Sequence, residues 1–135
     1  MTTDHPNISV LKKLDLRDLG SAENLFSQDF VWHYFNTELP DLEGDYHGLD
    51  GLKSFFRKLA GKTAGTFNVE PLSITAMGDE FVIVHVRDTM TLDAQSVALD
   101  AVVVWRIVEG LIAEAWDIPA INTVSVLGSS DTPKR

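Results

Sequence analysis

The chain has no cysteine, and that absence removes disulfides, thiolate metal sites and thiol nucleophiles together. Positive charge is scarce as well: 11 Lys and Arg against 20 Asp and Glu leave a formal net charge of −9. A nucleic-acid surface needs clustered Lys and Arg to neutralise phosphates, so this balance argues against such a partner. The short basic end, Lys134-Arg135, reads as part of a tail. No apolar run approaches the ~20 residues needed to span a bilayer. The start, Met1-Thr2-Thr3-Asp4-His5, lacks both the basic region and the apolar stretch of a secretory leader. The expectation is a soluble cytoplasmic domain with neither a membrane nor a nucleic-acid partner. Cofactor signatures are also missing. Gly44-x-x-x-Gly48-x-x-Gly51 has the wrong spacing for a phosphate or dinucleotide loop, and no Gly-x-Ser-x-Gly elbow occurs. His5, His33, His47 and His85 share no metal-ligand spacing. No cofactor and no metal are expected.

What is present is an ordinary globular composition, 44% hydrophobic and 23% charged over 135 residues. That length suits one domain, taken as 1–128, with a polar tail at 129–135. Helices come first. Ile8, Leu11 and Leu14 recur at threes after Pro6, and Leu19, Ala22, Leu25 and Phe26 form one face after Asp18, the expected cap. Phe30 to Phe35 reads as an aromatic strand, and Asn36 to Gly48 as a loop with a short strand near Tyr46. Asp50 is the expected cap of a third helix that buries Leu52, Phe55, Phe56 and Leu59, exposes Lys53, Arg57 and Lys58, and ends at Gly61. From Thr66 the pattern is strand only: roughly 66–77, 80–92, 95–108 and 111–118. The last two runs flank Glu109-Gly110, a strong hairpin signal. Three helices before a long meander predict an α+β fold with the helices on one face of the sheet.

The order of these segments resembles a known family. Asp29-Phe30-Val31-Trp32-His33, then Gly44 with Tyr46-His47-Gly48-Leu49-Asp50-Gly51-Leu52 and Phe55-Phe56, then Val104-Trp105-Arg106-Ile107 and Gly110-Leu111-Ile112-Ala113-Glu114-Ala115-Trp116-Asp117 are similar to the SnoaL-like branch of the nuclear transport factor 2-like superfamily. The resemblance spans roughly residues 8–125. It implies a cone-shaped α+β fold, in which a strongly curved, mainly antiparallel mixed sheet wraps about three helices and leaves a pocket at its wide end. The family includes polyketide cyclases, ketosteroid isomerase, a dehydratase and an epoxide hydrolase, so the likeness indicates the fold far better than the reaction.

Set against ketosteroid isomerase, the resemblance turns Leu99, Ala101, Val103 and Trp105 inward, with Asp100 and Arg106 outward. The last strand then presents Ala113, Ala115 and Asp117 to the pocket and Trp116 to the outside. Trp32 and Tyr34 face in, and His33 faces out. The strand at 81–91 admits two phases, one with Val84, Val86, Asp88 and Met90 inward and one with Ile83, His85, Arg87 and Thr89 inward; the first is preferred. The isomerase's general base would fall near Tyr34 and its acidic donor near Val103, neither of which can do that work. The expected site is an apolar pocket with Trp32, Trp105, Val103, Ala115 and Met90 as ligand-binding residues. Asp117 is the candidate acid or base, and Tyr34 a hydrogen-bond donor. Two functions stay open. One is a cofactor-free enzyme of cyclase, isomerase or lyase type, acting on a small hydrophobic carbonyl or hydroxyl compound. The other is a non-catalytic small-molecule binding or dimeric interaction domain. Val102, Val104 and Trp116 on the outer face predict a homodimer.

Overall fold

The computed structural model describes residues 5–127; most of the start read for a leader and the polar tail at 129–135 lie outside the described residues. Pro6 opens α1 (Pro6–Lys12), where its missing N–H is no loss, and the His5 ring accepts a hydrogen bond from the Asn7 backbone N–H. The second expected helix is a 3₁₀ helix over Leu19–Leu25. Its covered residues Leu19, Ala22 and Leu25 fall three apart, which is the 3₁₀ repeat. Next comes α2 (Gly48–Lys62), which buries Leu52, Phe55 and Leu59. His47 occupies the cap position, so Asp50 lies in the first turn, where its charge complements the helix's positive end.

Six strands form one mixed sheet: β1 (Phe26–Tyr34), β2 (Gly44–His47), β3 (Asn68–Met77), β4 (Phe81–Leu92), β5 (Gln95–Val108) and β6 (Leu111–Val126). Their order is β2-β1-β6-β5-β4-β3, and every neighbouring pair is antiparallel except β1 with β6. The sheet has two edges and is not closed into a barrel. β1 starts at Phe26, ahead of the expected Phe30, and β6 continues well past residue 118. Its pairing with β5 is irregular between Ala98 and Asp100 of β5, where Thr123 Oγ1 accepts from the Asp100 backbone N–H at 2.8 Å. The hairpins at Asp93-Ala94 and Glu109-Gly110 have positive φ at both central residues (50° and 66°, 51° and 81°). These are the primed turns whose twist suits antiparallel strands.

Strand phase decides what faces the core. Val82, Val84, Val86, Asp88 and Met90 are buried on β4, and Leu99, Ala101, Val103, Trp105 and Ile107 on β5. This is the preferred phase of the 81–91 strand; His85 points the other way and pairs with Asp100 at 3.2 Å. On β6 the expectation for Ala113 is corrected. The register runs Arg106↔Glu114 and then Ile107↔Ile112, so Ala113 is the extra residue of a bulge and Ile112 takes the inward place. Beyond the bulge, Ala115 is buried and Asp117 faces the interior as alternation requires. Trp116 is on the other face, stacked on the His33 ring at 5.5 Å and 6.2 Å from Phe81.

Gly51 lets α2 lie against β2. A Cβ built there would meet the Tyr46 carbonyl carbon at 2.9 Å, a backbone atom that cannot swing aside. Gly51→Ala should therefore destabilise the fold by roughly 1–3 kcal/mol in urea titrations. Gly61→Ala, also in α2 but with nothing within 4 Å, should stabilise it by about 0.5–1 kcal/mol. Equal effects of the two changes would contradict this packing.

Candidate functional site

Between the sheet, α1 and α2 lies a cavity of about 450 Å³. Leu11, Lys12, Leu14 and Leu16 form one wall, Phe56 and Phe67 another, and β3 contributes Val69 and the run from Pro71 to Ile74. The floor comes from β4, β5 and β6 with Val84, Val86, Asp88, Val103, Trp105 and Asp117, and from β1 with Trp32. Aromatic contacts hold this arrangement: Trp32 packs on Trp105 at 5.6 Å, on Phe55 at 5.6 Å and on Phe56 at 5.9 Å.

Trp32, Trp105, Val103 and Asp117 line the cavity; the other named candidates do not. Ala115 is fully buried in the main core, and Met90 packs in a separate cluster with Val97 and Leu99. Tyr34 is paired with Asp117 across the β1–β6 ladder, yet it is absent from the cavity wall. Its ring packs on Phe55 at 4.7 Å, and its hydroxyl oxygen accepts a hydrogen bond from Asn36 Nδ2 at 2.8 Å. Burial, and next to it the charges of Asp117 and Asp88, push its pKa further above the ordinary tyrosine value. Tyr34 therefore stays neutral and keeps its hydroxyl proton. Asp88 is the wall residue that the sequence left between two phases. The alternation Val82-x-Val84-x-Val86-x-Asp88 carries the signal, because the opposite phase would bury both His85 and Arg87.

Three buried side-chain polar atoms have no hydrogen-bond partner among the described residues: Trp32 Nε1, Asp88 Oδ1 and Asp117 Oδ1. All three belong to residues of this one cavity. An unmatched buried polar group costs about 1–3 kcal/mol, so three around one space is a costly arrangement for a purely structural core. Asp88 is 7% exposed, and burial, aided by the charge of Asp100, raises its pKa to about 7. Asp117 is half-buried as a whole residue, whereas its Oδ1 is shut off from solvent. Burial and then the charge of Asp88 hold its carboxyl well above the ordinary range. Near pH 7, then, Asp88 exists in both forms, and the shift at Asp117 favours its protonated form. Among the described residues no group of three or more His, Asp or Glu side chains converges to hold a metal.

From residue 11 to residue 115 the sequence matches the model of the SnoaL-like domain family. None of the curated proteins matches. Solved structures do. An NTF2-like protein of unknown function from Burkholderia pseudomallei is 22% identical with a TM-score of 0.75, over 88% of this chain and 94% of that one. TerC, co-crystallised with polyporic acid, is 22% identical with a TM-score of 0.73, over 87% and 94%. A putative SnoaL-like polyketide cyclase from Jannaschia is 13% identical with a TM-score of 0.68, over 90% and 93%. At these identities the likeness is one of fold.

The raised carboxyl pKa values have a consequence for stability. A buried aspartic acid that keeps its proton when folded, but loses it when unfolded, favours the folded state only at low pH. For Asp88 this stabilisation is complete below the ordinary value and is lost as pH rises from there to about 7. The full range amounts to ~4 kcal/mol. Asp88→Asn should therefore flatten the fall in urea stability between pH 4 and pH 8, and a variant with the wild-type slope would contradict the assignment.

Proposed function

This chain belongs to the SnoaL-like domain family, and from that premise we propose that it is a cofactor-free acid–base enzyme. Its substrate would be a small, largely apolar carbonyl or hydroxyl compound, held where the family's cone opens. The observation that carries this reading is the group of three unpartnered polar atoms, one N–H and two carboxyl oxygens, around a cavity whose remaining wall is apolar apart from Lys12 and Ser73. Burial raises the pKa of both acids, and two acids at one site can take different roles. Asp88, near 7, is the general base, and Asp117, held protonated, is the acid. The Trp32 indole N–H supplies a further donor to the substrate oxygen. In the step proposed, Asp88 carboxylate removes a proton from the carbon beside the carbonyl. The electron pair moves onto the carbonyl oxygen, which takes the proton of Asp117 to give an enol. In a β,γ-unsaturated ketone this enol is a dienol; Asp88 returns its proton at the γ carbon, the double bond moves into conjugation, and Asp117 takes back the enol proton to complete an isomerisation. That TerC, of similar fold, was crystallised with polyporic acid supports an organic molecule as the occupant.

The test is proton exchange. In heavy water, NMR of a panel of apolar ketones should show exchange beside the carbonyl accelerated by the wild-type protein. Asp88→Asn and Asp117→Asn should each slow that exchange 10²-fold or more, while ligand quenching of Trp32 and Trp105 fluorescence changes by about threefold at most. Saturable quenching without exchange of any ketone would leave a binding protein.

We also propose that the outer face of the sheet pairs two copies of the chain. Val102, Val104 and Trp116 are only half-covered there, and Ile118 is 44% exposed. Light scattering should give a dimer at micromolar concentration, and Trp116→Glu should shift it toward monomer without loss of ligand quenching. A wild-type monomer would remove the idea.

A further inference from the structure

The basic residues of this acidic chain are not evenly spread. Of the 11 Lys and Arg, seven lie between residues 12 and 62, and the strands from β3 to β6 hold only Arg87 and Arg106. Three of the seven, Arg17, Lys53 and Arg57, line a surface cleft of about 330 Å³, with Asp18 as the single acid in its wall. Lys53 and Arg57 are four apart on α2, so they project side by side. Other cations of the helix are engaged: Lys62 pairs with Asp41 at 2.6 Å, and Lys58 stands over the Tyr46 ring. Lys53 and Arg57 have no ion pair or hydrogen bond with any described residue. Arg17 is fixed by one hydrogen bond, from its Nη2 to Asn68 Oδ1 at 2.5 Å, which leaves further guanidinium donors.

This cleft adjoins the cavity of Asp88 and Asp117. Leu16 and Phe56 line both, and they also line a recess between α2 and β3 that includes Leu59, Phe67 and Val69 together with Asp15, Arg17 and Asn68. On one side of Leu16 and Phe56 the wall carries Asp88, Asp117 and Lys12, and on the other Arg17, Lys53 and Arg57 against Asp18 alone. We propose that Arg17, Lys53 and Arg57 form a second subsite that takes an anionic end group, carboxylate or phosphate, of an elongated substrate whose neutral carbonyl end lies between Asp88 and Asp117. The inference rests on the acid–base reading for the inner end. The difference in charge sets the direction of entry, because an anion would be repelled by the Asp88 carboxylate and attracted by the cationic rim. A planar guanidinium and an ammonium beside it suit either anion.

Three probes with the same medium-length alkyl body and a ketone at one end test this. They carry a carboxylate, a methyl ester or a phosphate ester at the other end, and their binding is read by Trp32 and Trp105 quenching. At low salt the two anionic probes should bind about five- to tenfold more tightly than the ester. In the Lys53→Gln, Arg57→Gln double variant, or in about 0.5 M salt, where the screening length is roughly 4 Å, the difference should fall below about twofold. Ester affinity and urea stability of the variant should stay at wild-type values. The tighter of the two anionic probes identifies the end group. If the ester binds and neither anion gains, or if the gain survives in the variant, the rim subsite is overturned and the inner site stands. If no probe quenches, the inner site falls as well.

Discussion

The parallel ladder between β1 and β6 is the contact on which the site depends. Trp32 lies opposite Ala115 and Tyr34 opposite Asp117, so residues some eighty positions apart share one floor. β5 then continues the same row, with Val103 opposite Asp117 and Trp105 opposite Ala115. Parallel neighbours cannot be joined by a tight turn, and here the connection includes α2 and the four intervening strands. α2 brings Phe55 and Phe56 onto the indole of Trp32, and β3 and β4 supply the far wall with Asp88. Separating β1 from β6 would divide Trp32 from Asp117.

The same ladder puts opposite electrostatics on the two faces of the sheet. On the outer face, His33 Nδ1 is 2.7 Å from Asp45 Oδ1, and its Nε2 is 2.6 Å from Glu114 Oε2. Burial lowers the pKa of this imidazole, but the two carboxylates outweigh it and the net shift is upward. The charged ring ties β2 and β6 to β1, a stabilisation present at low pH and lost as pH rises through the raised value. On the inner face neither carboxyl has an ion pair to offset burial, and desolvation raises the pKa of both. Thus one sheet carries ionised pairs outside and carboxyls with raised pKa values inside. The difference comes from whether a partner is at hand, not from residue type.

Much of the inner face was legible because alternation is a local property. Val84, Val86 and Asp88 belonged to the preferred of two phases, and the family resemblance, carried along β5 by alternation, turned Val103 and Trp105 inward; all five are buried. Ala113 was misplaced because a bulge adds one residue to β6 against β5 and shifts the phase by one. No residue type marks that insertion in the chain. Tyr34 and Ala115 do point to the core, but the ring of Phe55 and the amide of Asn36 take up the tyrosine, and the small alanine packs below the cavity wall. Met90 lies one turn of the alternation past Asp88, where β4 has already left the cavity for the smaller cluster of Val97 and Leu99.

The sequence by itself determined the helices-then-strands order, the two primed hairpins, the apolar faces of the strands, the absence of thiol chemistry and the family likeness. Each of these depends on composition or on neighbours a few positions apart. Only the tertiary structure decided that Asp88 and Asp117 share one cavity with Trp32, and that Tyr34 stays outside it. Only the fold put Leu16 and Phe56 between that cavity and the cations of α2. Those relations depend on strand order, on a bulge and on how α2 crosses the sheet. A side chain's pKa and its reach are set by what the fold brings beside it.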